Sequence, residues 1–220
     1  MTHFQPELFA FLAELKENNS KDCFQENKDR YRNDVQEPLI GFISAFAEPL
    51  GTISSNFVAD PRPNGGSMFR IYRDVRFSRD KSPYKVHAAA QFRHREGRDV
   101  HAPGFYLHLE PGQVFMGSGL WHPDGPTVSA IRSAIVDDPD RWRQVRKGLD
   151  LGGESLKRGP RGIDPDHPLI EDLKRKDFVC FTNTSQEAAC QSGFLDSFVE
   201  RCRVASPFMR FLTEAVDLEF

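Results

Sequence analysis

The chain has 220 residues, of which 39% are hydrophobic and 28% charged, and its mean hydropathy is -0.53. These values are typical of a folded globular protein and exclude a disordered chain. No apolar run approaches the ~20 residues that span a bilayer, so we expect no membrane partner. The first segment lacks the basic region of a signal peptide, and the four cysteines include no Cys-x-x-Cys pair. Both features predict a cytoplasmic protein with reduced thiols.

Charge is unevenly distributed along the chain, although the net charge is only -3. Residues 1–50 carry five Lys or Arg against nine Asp or Glu, whereas residues 70–98 carry nine against three and residues 140–161 seven against three. A basic patch on an otherwise acidic molecule predicts an anionic partner. A solvated surface with internal ion pairs explains the same counts.

Apolar residues at helical spacing predict helices in the first fifty residues. The first pattern begins at Pro6 and ends near Asn18. Ser20 is a suitable N-cap for the next helix. Pro38 is expected to break or kink that helix before a further helical segment at 39–50.

Alternating apolar and polar residues predict an antiparallel sheet, which follows a Pro- and Gly-rich loop at 60–66. The alternation occurs in four short segments, each long enough for a strand. The predicted strands cover residues 68–72, 86–94, 105–109 and 114–120.

The turn Glu110-Pro111-Gly112-Gln113 sets the pairing of the last two of these strands, because Pro and Gly suit the central positions of a turn. A two-residue loop there places Tyr106 opposite Gly117. Tyr106, His108 and Glu110 then share the face away from the core. Gly117 and Gly119 leave backbone bare on that face, which indicates close approach of a ligand or, equally, a bend in the sheet.

Helical patterns return after residue 125, with one short strand among them. Helix is predicted at about 126–149 with an interruption near Pro139, and then at 169–173, 194–204 and 207–216; the strand is predicted at 178–181. This order predicts a single α+β domain over residues 1–220, with an antiparallel sheet of about four or more strands. The helical N-terminal part covers about 5–50, the sheet about 67–121 and the helical C-terminal part about 126–218.

The segment at 69–85, FRIYRDVRFSRDKSPYK, is the richest in directional hydrogen-bonding groups. Arginine presents a planar fork that matches carboxylate or phosphate, and lysine adds a mobile cation. Aspartates are expected to hold these cations, and hydroxyls to complete an oxyanion site. Alternatively, the charges form an ion-pair lattice that only pins the loop. The candidate ligand-binding residues are Arg70, Arg73, Asp74, Arg76, Ser78, Asp80, Lys81, Tyr84 and Lys85.

The same segment resembles the signature of a widespread bacterial and fungal family of conserved hypothetical proteins, a domain of unknown function. Cys23 departs from the family pattern, which has Trp before Phe24. The resemblance implies a single α+β domain and assigns no activity, substrate or cofactor. Further similarity lies in residues 12–31, in FYLHLEP at 105–111, in GSGLWHP at 117–123 and in PRGIDPDHP at 160–168.

The candidates for chemistry are Tyr106, His108 and Glu110 on the open strand face. His108 oriented by a carboxylate is a sensible general base, with a cation of segment 69–85 on an oxyanion. His108 and Glu110 lie side by side on one strand face, as metal ligands can, and His122 follows the next strand. Because no third ligand stands at a diagnostic spacing, we predict no metal ligands. The sequence has no glycine-rich nucleotide motif, and no cofactor can be assigned.

These features favour a protein that binds a phosphorylated or carboxylated small molecule in a basic pocket. If the protein is an enzyme, we expect it to be a hydrolase or a transferase. Nucleic-acid binding by the same patch is an alternative, because Tyr72, Phe77 and Tyr84 interleave with the cations and suit stacking on bases. A protein-interaction module that docks an acidic partner is a third. The sequence leaves the substrate, the reaction and the oligomeric state open.

Overall fold

The computed structural model describes residues 2–97 and 101–220, and Arg98 of the basic stretch lies outside them. The first elements are α1 (Pro6–Glu17), α2 (Lys21–Glu26), α3 (Lys28–Arg30), a π-helical segment (Tyr31–Gln36) and α4 (Glu37–Ile53). The middle elements are β1 (Ala88–Arg93), β2 (Gly104–Glu110), β3 (Gln113–Leu120), α5 (Gly125–Asp137), α6 (Pro139–Val145) and β4 (Leu151–Gly152). The last are α7 (Ile170–Leu173), β5 (Phe178–Thr184), α8 (Gln186–Ala189) and α9 (Phe194–Glu214).

Five strands of the described chain form one antiparallel sheet in the order β1-β2-β3-β5-β4. Helices precede and follow the sheet, which confirms the α+β fold class. The inner face of the sheet packs against α4 and α9. There the Phe46 ring lies 4.6 Å from that of Phe92 on β1 and 4.9 Å from that of Phe198 on α9, measured between centroids. The abundant phenylalanines therefore fill the core between helices and sheet.

The β2–β3 hairpin has the predicted register. A two-residue turn connects strands that pair Tyr106 with Gly117, and Gly112 of the turn has a φ of 80°, which favours glycine. The alternate leucines of β2 are fully buried in the core. Tyr106, His108 and Glu110 consequently lie together on the outer face.

The strand predicted at 68–72 is wrong. The segment makes only isolated bridges, one of them from Met68 to Ala90 of β1, and then leaves the sheet. The amide of Lys85 donates to the carbonyl of Ile71 at 2.7 Å. The segment between these two residues closes on itself as a loop, and its backbone groups do not continue along the edge of the sheet.

Two prolines lie inside helices that we expected them to interrupt. Pro38 falls in the first turn of α4, and the π-helical segment leads into it without a break. Pro207 lies within α9, so the helices predicted at 194–204 and 207–216 are one. Phe198 and Phe208 are fully buried on either side of Pro207, and their burial holds both halves of α9 against the core. Pro139, by contrast, begins α6 and confirms the predicted interruption.

The four cysteines form no disulfide, as predicted. Cys180 and Cys202 are buried, and Cys23 and Cys190 are half-buried. Burial raises the pKa of the Cys180 thiol to about 11, so this thiol is protonated at neutral pH. No helix in the described part of the chain is both long and apolar enough to cross a membrane.

Gly119→Ala is expected to destabilise the fold, because Gly119 has a φ of 135° and a β-carbon there would overlap the carbonyl oxygen of Phe178 on β5. We expect the free energy of unfolding in urea to fall by about 2–4 kcal/mol. Gly117→Ala is the matched control, since its β-carbon would make ordinary contact with the Phe181 ring at 3.5 Å. Its effect should stay below about 1 kcal/mol; equal losses in the two variants would contradict this account.

Candidate functional site

A cavity of about 370 Å³ opens on the outer face of the sheet. Strands β1, β2, β3 and β5 all contribute to its lining, and the loop before β1 adds one wall. The lining is largely aromatic, with imidazole and phenol groups set among apolar rings. Its principal side chains are Phe69, His87, Tyr106, His108, Phe115, Trp121 and Phe181. This outer cavity is therefore suited to a ligand with a flat apolar part.

Three side chains of β2 form a hydrogen-bonded chain at the outer cavity. The Tyr106 hydroxyl oxygen lies 3.1 Å from His108 Nδ1, and His108 Nε2 lies 3.1 Å from Glu110 Oε2. The three follow each other in a row because alternate residues of a strand share a face. A carboxylate only accepts, so in the neutral ring Nε2 carries the proton and Nδ1 accepts from the Tyr106 hydroxyl. The row thus selects one tautomer of His108.

His87, which immediately precedes β1, joins this row. Its ring centroid lies 4.5 Å from that of His108, and extending the β1–β2 register by one residue places His87 across from Glu110. Burial, followed by repulsion from His108, lowers the pKa of His87 to about 4. Burial also lowers the pKa of His108, although its hydrogen bond to Glu110 acts in the opposite direction. Both imidazoles are consequently neutral at pH 7.

Glu110 is the charged member of the group. Its side chain is 20% exposed, and Lys16 of α1 approaches its Oε1 at 4.0 Å. Burial, with repulsion from Glu110, raises the pKa of Tyr106 to about 12. The phenol therefore keeps its proton at neutral pH and acts as a hydrogen-bond donor.

Sequence reasoning placed Tyr106, His108 and Glu110 on one face together with Gly117 and Gly119, but it missed His87 and most of the aromatic walls. His87 lies on the polar face of the strand predicted at 86–94, and pairing that strand with β2 is the signal that would have found it. The hairpin register predicts Phe115 opposite His108, and the structure confirms this pair. The other aromatic walls carried no such signal, because a phenylalanine on an open sheet face looks the same in sequence as one in the core.

The basic segment does not converge on the cavity as a group. The Arg73 guanidinium pairs with Asp80, and that of Arg76 pairs with Asp74 at 2.6 Å. Hydrogen bonding to Arg76 lowers the pKa of Asp74 to about 2. The carboxylates of the loop thus neutralise two of its guanidinium groups, and this part of the segment resembles an ion-pair lattice more than a shared pocket.

The remaining candidates of the segment lie in separate places. Lys81 donates to backbone carbonyl oxygens of its own loop, and Ser78 is half-buried there. Arg70 lines a different cavity, of about 400 Å³, together with residues of α2 and the π-helical segment. Tyr84 is buried and stacks on Phe24 with 4.1 Å between ring centroids, so it belongs to the core.

Lys85 is a cation of the segment that does approach the outer cavity. Its Nζ lies 5.8 Å from the ring centroid of Phe69, which forms a wall of the cavity, and donates to the carbonyl oxygen of Arg70 at 2.5 Å. Burial, with repulsion from Arg70, lowers the pKa of Lys85. This ammonium is therefore poorly solvated and close to the aromatic lining.

His122 does not join His108 and Glu110. Its backbone amide donates to the buried Asp177 at 2.7 Å, and its Nδ1 lies 3.4 Å from the same carboxyl oxygen. The third residue of metal-ligand type beside His108 and Glu110 is instead His87. One nitrogen or oxygen atom from each of the three lies within 4.8 Å of the others.

The imidazole of His87 is expected to titrate near pH 4 in NMR spectra of the chain dialysed against EDTA, whereas the ordinary midpoint is 6.5. Between these two pH values the unfolded chain binds more protons than the folded chain at this position. The contribution of His87 to stability is therefore present above pH 6.5 and is lost as the pH falls towards 4. A His87→Gln variant should show a shallower loss of stability over this range; a His87 midpoint near 6.5 would contradict the burial of this imidazole.

Comparison with known proteins covers nearly the whole chain. No curated protein matches it. The model of a family described as "Conserved hypothetical protein (DUF2461)" matches residues 7–211, which include the sheet and the outer cavity. The chain therefore belongs to the DUF2461 family of conserved hypothetical proteins.

Proposed function

We propose that this protein binds a small planar molecule with one anionic group, and that the ligand occupies the outer cavity. The observation that carries the proposal is the combination, in one cavity, of aromatic walls with Tyr106 and His108, whose hydrogen-bonded row continues to Glu110 beside the cavity. Pockets that bind small molecules are mostly apolar and contain a few convergent polar groups. As an enzyme, the protein would catalyse hydrolysis of the bound molecule or transfer of a group from it.

Aromatic side chains support the planar part of the ligand. Phe115 stacks on His108 with 4.6 Å between ring centroids and an interplanar angle of 14°. Phe181 meets Phe115 edge to face at 5.4 Å. A flat ring inserted among such groups gains offset-stacked and edge-to-face contacts in addition to burial of its area.

Lys85 supports the anionic part of the ligand. Its ammonium is half-buried beside Phe69, and a poorly solvated cation gains more from an anion than an exposed one does. Of the wide basic patch predicted from the sequence, the proposal therefore retains Lys85, whose Nζ lies 5.8 Å from the ring centroid of the cavity wall Phe69. Arg73 and Arg76 have carboxylate partners in their loop already.

Binding is testable with 2-naphthoate in a titration of the ¹⁵N-labelled chain followed by NMR. The chain has two tryptophans: Trp121 lines the cavity and is 45% exposed, whereas Trp142 is fully buried in another part of the core. The indole N–H signal of Trp121 should shift on binding, and that of Trp142 should not. The absence of a shift at Trp121 with about 1 mM naphthoate would contradict the proposal.

Lys85→Met is expected to weaken naphthoate binding about tenfold, because it removes the charge and keeps most of the side-chain length. The neutral analogue 2-naphthalenemethanol should bind the variant and the original chain equally. Lys81→Met is the matched control, since Lys81 bonds to backbone carbonyls of the loop. 2-Naphthyl phosphate under the same conditions tests for turnover through release of 2-naphthol.

Nucleic-acid binding by the loop at 71–85 is a second candidate. Phe77 is 96% exposed, Tyr72 is 58% exposed, and the Arg76 guanidinium lies 5.9 Å from the centroid of the Phe77 ring. Exposed aromatic residues beside cations suit stacking on unpaired bases. The ion pairs within the loop count against this candidate, because they already neutralise part of its charge.

A single-stranded oligonucleotide tests the second candidate in a fluorescence-anisotropy titration at several salt concentrations. If the loop binds nucleic acid, Phe77→Ala should weaken binding by about 1–3 kcal/mol, and affinity should fall steeply with salt. Val204→Ala is a control that changes an exposed apolar residue on α9. Failure of the original chain to bind at low salt would eliminate this candidate.

A further inference from the structure

We propose that His87, His108 and Glu110 form a binding site for a divalent transition-metal ion, with Zn²⁺ as the best-matched ion. The three residues offer two imidazole nitrogens and one carboxylate oxygen within 4.8 Å of one another. Sequence spacing alone predicted no metal ligands here. The structure supplies the third ligand, His87, from the residue that immediately precedes the neighbouring strand.

The distance between the candidate ligand atoms of His108 and Glu110 already suits a shared metal ion. His108 Nε2 and Glu110 Oε2 are 3.1 Å apart. Two ligands at about 2.0–2.1 Å from a tetrahedral zinc ion are about 3.3 Å apart. Only His87 has to move closer, and it immediately precedes β1 and has a half-buried side chain.

Strand β2 presents two of the three ligands on regular backbone, and the third ligand immediately precedes β1. His108 and Glu110 are alternate residues of β2, and His87 lies across from Glu110 when the β1–β2 register is extended by one residue. Sites held by strands have better-defined geometry than sites held by loops. All three side chains lie on the outer face, so the metal would sit at the outer cavity.

The tautomer of His108 can change without loss of a proton. In the absence of metal the proton is on Nε2 and is donated to Glu110. When Nε2 binds a metal ion, the proton moves to Nδ1 and is donated to the Tyr106 oxygen 3.1 Å away. Such a hydrogen bond to the second nitrogen of a metal-bound histidine orients the ring. Tyr106 is thus a positioning residue for this site.

Ligand type favours a transition metal over Ca²⁺ or Mg²⁺. Imidazole suits zinc, copper, iron and nickel, whereas calcium and magnesium prefer sites made of oxygen alone. Two histidines and one glutamate are a ligand set of hydrolytic zinc sites, which keep a further position open. Lys16 approaches Oε1 of Glu110 and leaves Oε2, the oxygen beside His108, for the ion.

The metal site also bears on the ligand of the outer cavity. An open coordination position would accept the anionic group of a bound molecule and polarise it. This consequence depends on the proposed function, whereas the metal site itself does not. Naphthoate titrations with and without Zn²⁺ separate the two, because naphthoate binding that persists in EDTA supports the ligand proposal alone.

Isothermal titration with Zn²⁺ tests the site, using an untagged chain dialysed against EDTA. We expect one Zn²⁺ per chain with a Kd of about 1 μM or lower, and Co²⁺ should give the visible absorption of a four- or five-coordinate ion. His87→Gln and Glu110→Gln should each weaken Zn²⁺ binding at least about 100-fold, and Tyr106→Phe about tenfold. His167→Gln, in the loop before α7, is the matched histidine control and should bind as the original chain does.

Thermal unfolding of each metal-free variant verifies that the variant is folded, so that loss of binding reports on the ligands. Folded original chain that binds no Zn²⁺ at about 1 mM would overturn the proposal. So would binding that is unchanged in both His87→Gln and Glu110→Gln, because the ion would then lie elsewhere.

Discussion

The pairing register of β2 and β3 determines which side chains reach the outer cavity. Side chains alternate along a strand, so a slip of one residue would turn Tyr106, His108 and Glu110 towards the core and the leucines of β2 towards solvent. Burying the polar groups without partners costs several kcal/mol, and exposing the leucines forfeits about 1.5–3 kcal/mol each. The core under α4 and α9 therefore enforces the geometry of the site on the opposite face of the same strand.

The hydrogen-bonded row on the outer face satisfies polar groups that are largely removed from water. His108 is 7% exposed and stacks on Phe115, so an unpartnered ring nitrogen there would be costly. Tyr106 and Glu110 each provide a partner for one nitrogen. The same partners hold the imidazole in one orientation, and an imidazole that is already oriented binds a ligand or a metal ion at lower entropic cost.

Counting charges along the sequence identified a basic segment but did not reveal the role of each residue in it. An aspartate two residues before an arginine captures that arginine locally: Asp74 accepts from both the amide and the guanidinium of Arg76. Asp60 and Arg62 repeat the arrangement in the preceding loop. This Asp-x-Arg spacing can be recognised in the sequence and indicates ion pairs within a loop. It agrees with the alternative that the charges in this part of the segment form an ion-pair lattice that pins the loop.

The sequence by itself determined the features that depend on neighbouring residues. These are the hairpin turn, the register it sets, the shared face of Tyr106, His108 and Glu110, and the N-cap at Ser20, whose hydroxyl accepts from the amide of Cys23. Each follows from the two-residue period of a strand or from local turn and cap chemistry.

Only the tertiary structure decided the features that depend on contacts between distant parts of the chain. It brought His87 beside His108, closed the segment between Ile71 and Lys85 into a loop, and kept Pro207 inside a helix. It also placed aromatic rings from three strands and a loop around one cavity. Residue spacing alone does not fix these arrangements, because they depend on how strands pair across intervening loops and on which apolar faces the core can bury together.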